Sequence, residues 1–483
     1  MTPEAGAARA ARSATPCRAL PAGCHRAAGR QRGQALLLGM FLLVLVAMLT
    51  FFMFSAGQLT TAKRRLVNVT DAAAYSVGVW QARAMNYHAY ANRAIIANEV
   101  AIAQAVTLVS YMKFIQVAVD RLEDVARYIP VFGQYVQSIE RIIDMVDTVT
   151  RYVAKVEVAG RSAYIHALSA SQWGMHQLAS VFVSGSLATE VAKQTDGKFF
   201  VQMLSEAVMG KAGLGAEALK RQHVLHAHEG QDRERLKDLI VRSLDPYTLN
   251  RSHTTSLRVM DPLAAPRLER RGQTQMILDH DTGAFDRWQA YDTLSLHEKG
   301  RKFWRHRSHR EVAALAWGGA EAARDAKEEL DALDGREDGD KRTNRRAYGQ
   351  ASRDDFWSTE LYWGLPAVYD LNQKSPEFRK NPHFPVLTFG LMGYMSDERS
   401  TQTKDGRTSL RIGTAAQIGL GGGRLQLHDR LAGRGSKAMR AISAVEIYFR
   451  RPAGSRKQYA SLYSPYWQAR LAPVPAAWRL SVR

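Results

Sequence analysis

ALLLGMFLLVLVAMLTFFMFSA, residues 35–56, decides how the rest of this chain is read. Its twenty-two residues include no charged side chain. At about 1.5 Å of rise per residue, such a helix reaches roughly 33 Å, enough for a hydrocarbon core of about 30 Å. Inside lipid every backbone amide must be paired within its own segment, so a crossing stretch of this kind is helical. The competing reading is a cleaved secretory signal, whose apolar region usually runs about 7–15 residues and closes on a small-x-small site. This run is longer and passes through Phe51, Phe52 and Phe54 without a convincing site of that kind. An uncleaved signal-anchor is expected.

Charge on either side sets the direction. Upstream lie Arg9, Arg12, Arg18, Arg26, Arg30 and Arg32 against the single acid Glu4; downstream lie Lys63, Arg64 and Arg65. Cytoplasmic flanks carry the excess of Lys and Arg, counted within about 15–20 residues of the span. Arg18, Arg26, Arg30 and Arg32 then outnumber the three downstream cations, which favours the N-terminus inside by a narrow margin.

The chain has 483 residues, 46% of them hydrophobic, ample for a folded core after the anchor. A net charge of +20 calls for an acidic counterpart: nucleic acid, anionic lipid or acidic envelope polymer. Six of the cations precede the apolar run, where they serve topology, and the rest are spread along the chain as on a solvated basic surface. The only cysteines, Cys17 and Cys24, also precede it, so an exported portion would hold no disulfide. Their six-residue separation, with His25 beside Cys24, is not the close spacing of a zinc site. The Ala/Arg-rich leader has little to bury and reads as disordered, and its composition also fits a start codon placed too early.

Beyond Lys63 the chain is alanine-rich and free of proline until Pro130. The apolar helix is expected to continue past Gly57, a point where it could break, into a long extramembrane helix. Pro130 and Gly133 then punctuate it. After them Val136, Ile139, Ile143, Val146, Val149, Val153 and Val156 form an apolar stripe at alternating three- and four-residue spacing. Packing of that stripe against the preceding helix, as a hairpin, is expected; self-association through it is the alternative.

From Gly272 the texture changes. Residues 275–283, QMILDHDTG, and the stretch to His297 read as strands around a tight Asp-Thr-Gly turn. Residues 321–355 hold nineteen charged side chains in thirty-five, eleven acidic and eight basic, the composition of a solvated helix and a flexible linker. Residues 409–427 and 444–449 (AVEIYF) suggest short antiparallel strands joined by glycine turns, with Gly419 to Gly423 as a hairpin turn.

Chemistry is sought and not found. There is no P-loop, HExxH or G-x-S-x-G sequence. His223, His226, His228 and Glu229 lie in a polar stretch where solvated histidines are the simpler reading, and His306 and His309 are weaker still as ligands. The basic run RKFWRHRSHR, residues 301–310, interleaves Phe303 and Trp304 with cations, as single-stranded nucleic acid or an anionic membrane surface would need. An exposed strand or helix edge accounts for it more simply. No catalytic, cofactor-binding or metal-binding residue is assigned, no cofactor is expected, and the chain is not expected to be an enzyme.

One set of residues does carry a resemblance. Arg30-Gln-Arg-Gly-Gln-Ala35 stands directly before the apolar helix, Lys63-Arg-Arg-Leu66 follows it, and then comes Asn68-Val-Thr-Asp-Ala-Ala-Ala-Tyr75. This arrangement resembles the N-terminal module of Tad pilus-assembly proteins of the TadE/TadG kind, with Gly33, Gln34, Asp71, Ala72, Ala73 and Ala74 as the matching motif residues. It covers little more than a tenth of the chain. Physically, three alanines after Asp71 make a small helix face that lets a neighbouring helix approach closely, or simply a good helix-forming run beside one solvated acid. The resemblance implies an inner-membrane anchor with a cytoplasmic N-terminus, a periplasmic bulk, and a part in assembling a Flp-type pilus or related secretion machine. Its implied partners are membrane lipid and other assembly proteins.

The sequence departs from that pattern twice. Cleaved pilin-like members carry glutamate at the fifth position after the cleavage glycine, where Leu38 stands here. The Asp-x-Ser-x-Ser metal motif of members with a von Willebrand factor A domain is absent. A downstream box, ASLYSPYWQAR at residues 460–470, looks like a structural ending of the wider TadE/G-like set.

The expected fold class is α+β: a single N-terminal transmembrane helix continuing into a long helical hairpin, then a mixed region with short antiparallel strands. The expected divisions are a basic cytoplasmic leader over 1–33, the span over 34–57 and a helical membrane-proximal region over 58–200. A mixed region over 201–320, a charged linker over 321–355 and a β-containing region over 356–483 follow. The expected function is a membrane-anchored, periplasm-facing assembly component. The alternative is a membrane-tethered basic module that binds nucleic acid or an acidic envelope polymer.

Overall fold

The computed structural model describes residues 34–126, 133–179, 181–195, 200–203, 223–226, 231–257, 266–279, 286–299, 309–325, 344–353, 356–371, 387–396, 419–420, 423–424, 438–452 and 460–474. The chain divides into two compact units, Met1–Ala62 and Lys63–Arg483. The α+β class holds: long helices come first, then sheets built of short strands, nearly all antiparallel.

Helix α1 spans Gln34–Ala126 and includes Gly57. In the first unit its stretch Ala35–Phe54 is long and apolar enough to cross a membrane, and none of it is buried. Leu36, Phe41, Leu43 and Phe54 stand exposed, a state that water penalises and lipid does not. The later stretch Thr60–Leu122 is also apolar, but over half of its most apolar window is buried, and it is the core helix of the second unit.

Helix α2, Gly133–Leu178, runs antiparallel to α1. Gln116 pairs with Asp144 (2.7 Å), Asn98 with Arg161 (2.9 Å) and Tyr87 with Ser171 (2.6 Å), so residues meet in reverse order along the two helices. The hairpin is present, but the stripe expected to close it is turned away. Ile139, Val146, Val149, Val153 and Val156 are exposed, while Asp147, Ala154, Val158, Ser162 and Ile165 face inward. The inward face is apolar as well: Ala154, Val158 and Ile165 share one core with Ile95, Ile102 and Val106 of α1. Asn98 and Tyr87 on α1 find Arg161 and Ser171 on this side of α2, and small residues there let the backbones approach. Helix α3, Val181–Thr195, follows α2. Trp80 and Gln81 of α1 donate to the last carbonyls of the α2 region, Leu178 O (3.2 Å) and Ala179 O (2.5 Å), which a helix end leaves without intrahelical partners.

The strands are β1 Phe200–Met203, β2 His223–His226, β3 His253–Ser256, β4 Arg267–Ile277, β5 Arg287–Lys299, β6 His309–Ala322, β7 Trp357–Thr359, β8 Val368–Leu371, β9 Leu387–Ser396, β10 Gly419–Leu420, β11 Gly423–Arg424, β12 Ala438–Phe449 and β13 Trp467–Ala472. Between β2 and β3 lie helix α4, Gln231–Ser243, and the single turn α5, Pro246–Leu249; helix α6, Arg345–Ala351, precedes β7. The strands form a five-stranded sheet β3-β4-β5-β6-β7, a four-stranded sheet β1-β9-β12-β13, and the pairs β2-β8 and β10-β11. The β4–β5 pairing bears out the strands expected there; its last rung is Ile277↔Arg287, and the Asp-Thr-Gly turn lies outside the described residues.

β1 pairs with β9, β2 with β8, and β7 joins β6 in parallel from beyond the charged stretch. The ends of the expected linker are themselves structured. Glu321 and Ala322 are buried in β6, and Ala347 and Ala351 of α6 pack with Val117 and Trp317. Glu311 of β6 accepts the backbone amides of Arg346 (2.8 Å) and Ala347 (3.2 Å) at the start of α6, capping that helix from outside the stretch. Residues 326–343 lie outside the described residues.

One large core joins α1, α2, α4 and the five-stranded sheet through Ile95, Ile102, Val106, Val158, Ile240 and Trp288. β5 is the central strand and is covered on both faces. Trp288 and Ala290 point into this core, while Gln289, Thr293, Ser295 and His297 are buried on the other side. That second face carries polar pairs: Gln289 meets Glu321 (3.1 Å), His297 meets Asn344 (2.8 Å) and Ser295 meets Glu311 (2.8 Å).

Candidate functional site

The motif residues divide between the two units. Gly33 lies outside the described residues, and Gln34 opens α1. In the second unit Asp71 is half-buried and Ala72 exposed, while Ala73 and Ala74 are fully buried beside Leu66, Thr70, Val77 and Gly78. The small face expected here exists, but a sheet meets it rather than a helix. A Cβ on Gly78, one turn beyond Ala74, would overlap Val445 of β12 and crowd Ala469 of β13. Glycine is required there by the close approach of helix and strand. Nearer its start, Lys63 donates through Nζ to the carbonyl of Arg440, also on β12.

Further along α1 a line of polar side chains reaches into the fold. Asn86 bonds both backbone groups of Trp467, the first residue of β13 (3.0 Å each). Asn92 is buried; its Nδ2 donates to Tyr369 O of β8 (2.7 Å) and Leu462 O (2.8 Å), and its Oδ1 accepts from Gln172 of α2 (2.5 Å). Thr107 meets Thr274 of β4 (2.7 Å), and Ser110 donates to Asp292 of β5 (2.9 Å). The downstream box at residues 460–470 is thus brought onto the helix that carries the N-terminal module. Sequence reasoning passed over Asn86 and Asn92. Their signal was amides recurring on the buried face of an otherwise apolar helix, where each must find a partner.

Glu99 is the most unusual member of this line. It is fully buried, and its Oε2 accepts from Trp288 Nε1 (2.9 Å) and from the Tyr362 hydroxyl (3.1 Å). Its Oε1 has no hydrogen-bond partner among the described residues. Burial pushes this carboxyl up to about 7, against the opposing pull of the two hydrogen bonds. Near it, Arg233 of α4 pairs with buried Asp286, which also accepts from the backbone of Leu365 (3.0 Å). A second buried pair ties β5 to the chain before β3. Arg251 Nε and Nη2 grip the two oxygens of Asp292 at 2.8 and 3.1 Å, and both side chains are fully buried. These groups are enclosed and mutually bonded, an arrangement suited to fixing the fold.

The remaining candidates fall apart. His223 and His226 occupy β2, opposite Leu371 and Val368; His228 and Glu229 lie outside the described residues. His309 begins β6, and residues 301–308 of the basic run are outside the described residues, as are Cys17 and Cys24. Among the described residues no group of three or more His, Cys, Asp or Glu could hold a metal ion.

The family model described as Tad, putative Flp pilus-assembly TadE/G-like, matches residues 33–84, the N-terminal module only. No curated protein and no solved structure matches the chain. The match supports a role related to pilus assembly, and together with the unburied apolar helix it points to membrane association.

Proposed function

We propose that the Tad module at residues 33–84 anchors a non-catalytic assembly component of a Flp-type pilus or related secretion system. In this reading residues 35–56 form a single membrane span with the N-terminus in the cytoplasm, and residues 63–483 form a periplasmic body. The observation that carries it is the use of α1. One helix holds the apolar stretch and the motif, and its later part is the axis to which strands from all three larger β elements are bonded. A helix held by so many polar contacts is suited to presenting surfaces at fixed positions, which is the work of an assembly protein. Enclosed carboxylates that bond only to the fold add no reaction to this picture. Inner-membrane lipid and other assembly proteins are its partners.

Two measurements test the reading. Alkaline phosphatase fused after Arg483 should be active, because that enzyme matures only outside the cytoplasm; an inactive fusion of full-length protein rejects the orientation. Deleting the gene from a pilus-bearing host should abolish surface pili, with recovery when the full chain is supplied. Normal pili in the deletion strain would reject the assembly role.

A further inference from the structure

The apolar stripe that α2 turns away from its own fold follows a seven-residue repeat. Ile139 and Ile142, Val146 and Val149, Val153 and Val156 occupy alternating three- and four-residue steps, each 43–57% exposed. The same two columns continue as exposed Gly160, Ala163, Ala167 and Ala170, so the strip stays free of charge along its length. An undistorted helix drifts by about 20° per heptad from such a spacing, so an unbroken seven-residue strip is matched to a second helix coiling along it. Ile and Val are among the side chains that fill the apolar positions of such seams.

We propose that this face of α2 pairs with the same face of a second copy of the chain. Three observations favour a second copy over another occupant. The flanking columns are Ile143, Thr150 and Glu157 on one side and Met145, Tyr152 and Ala159 on the other. Their single charge, Glu157, is already held by Arg161 at 2.7 Å, so two copies meet without a like-charged pair in either orientation. Neither column carries a cation to hold an anionic surface against the stripe; exposed Arg141 and Lys155 stand one column further round. The six stripe residues with Met145 and Tyr152 present on the order of 700 Å², close to the roughly 800 Å² per partner that a specific interface uses. The pairing does not depend on the pilus role.

Cross-linking tests it in the full chain, in membranes, with Cys17→Ser and Cys24→Ser as background. Single cysteines at Val149 or Val153 should give a disulfide-linked dimer on mild oxidation, whereas Thr148→Cys and Lys155→Cys, exposed but off the stripe, should not. Light scattering on the detergent-purified native chain should report a dimer, and Val149→Glu with Val153→Glu should return it to a monomer with unchanged circular dichroism. A monomeric native chain, equal cross-linking off the stripe, or a dimer indifferent to the two glutamates overturns the proposal. So does a monomer that co-purifies with a different protein only while the stripe is intact.

Discussion

The carboxamide of Asn86 bonds both backbone groups of Trp467: its Oδ1 accepts the Trp467 amide at 3.0 Å, and its Nδ2 donates to the Trp467 carbonyl at 3.0 Å. Trp467 opens β13, the outer strand of its sheet, so this side chain supplies the two bonds that a further strand would have made. Residues 381 apart in sequence are thereby fixed in register. Asn86→Leu removes both bonds and leaves a partly buried donor and acceptor unpaired, at a cost of about 1–3 kcal/mol each before relaxation. Denaturant unfolding of the detergent-solubilised chain should show the loss, and limited proteolysis should cut first near residues 453–483.

Gly318 lies where β6 crosses α1. A Cβ there would overlap the carbonyl of Ser110 and the amide of Phe114, backbone atoms that no rotamer change can move. Gly318→Ala should therefore destabilise the second unit by about 1–3 kcal/mol through forced separation of strand and helix. Gly57→Ala, where a Cβ meets nothing within 4 Å, is the control and should leave the melting temperature unchanged or slightly raised.

Glu99 ties stability to pH. Its carboxyl titrates near 4.5 when unfolded and near 7 when folded. Below about 4.5 both states hold the proton and the contribution is complete. Between the two values the unfolded chain releases a proton that the folded chain keeps, so stability falls as pH rises, and above 7 it levels off. The whole change is on the order of 3 kcal/mol. Glu99→Gln keeps an oxygen for Trp288 and Tyr362 but cannot ionise. Its unfolding curves at pH 5 and pH 8 should coincide more closely than those of the native chain, and it should be the more stable protein at pH 8.

The Arg251–Asp292 pair is enclosed and bidentate, so removing Asp292 leaves the Arg251 guanidinium buried without its carboxylate. Asp292→Ala should cost about 3–5 kcal/mol, more than any exposed pair on the chain. Arg242→Ala, which breaks an exposed pair with Asp238, should cost at most about 0.5 kcal/mol. Side-by-side thermal melts distinguish the two.

Much of the fold was legible along the chain because the signals were local. The uncharged run at residues 35–56, the proline at position 130 and the Asp-Thr-Gly turn signal at residues 281–283 each act within a few residues, and they point to the unburied helix, the hairpin and the β4–β5 pair. The stripe from Ile139 to Val156 misled because two faces of α2 could serve. Its bulky apolar face was the conspicuous one, yet Ala154, Val158 and Ile165 on the other side join Ile95, Ile102 and Val106 of α1 in the core. Within the charged residues 321–355, Glu321 bonds Gln289 inside the sheet and Asn344 bonds the carbonyl of Glu269, partners that composition cannot reveal.

By itself the sequence determined the anchor-like helix, the module at its head and the α+β class, since hydropathy and helix-forming tendency are properties of neighbouring residues. Only the tertiary structure decided what the alanine face packs against, which side of α2 is buried, and that Asn86, Asn92 and Glu99 hold β strands hundreds of residues away. Those outcomes depend on buried polar groups finding partners, and a partner's position is set by the path of the whole chain.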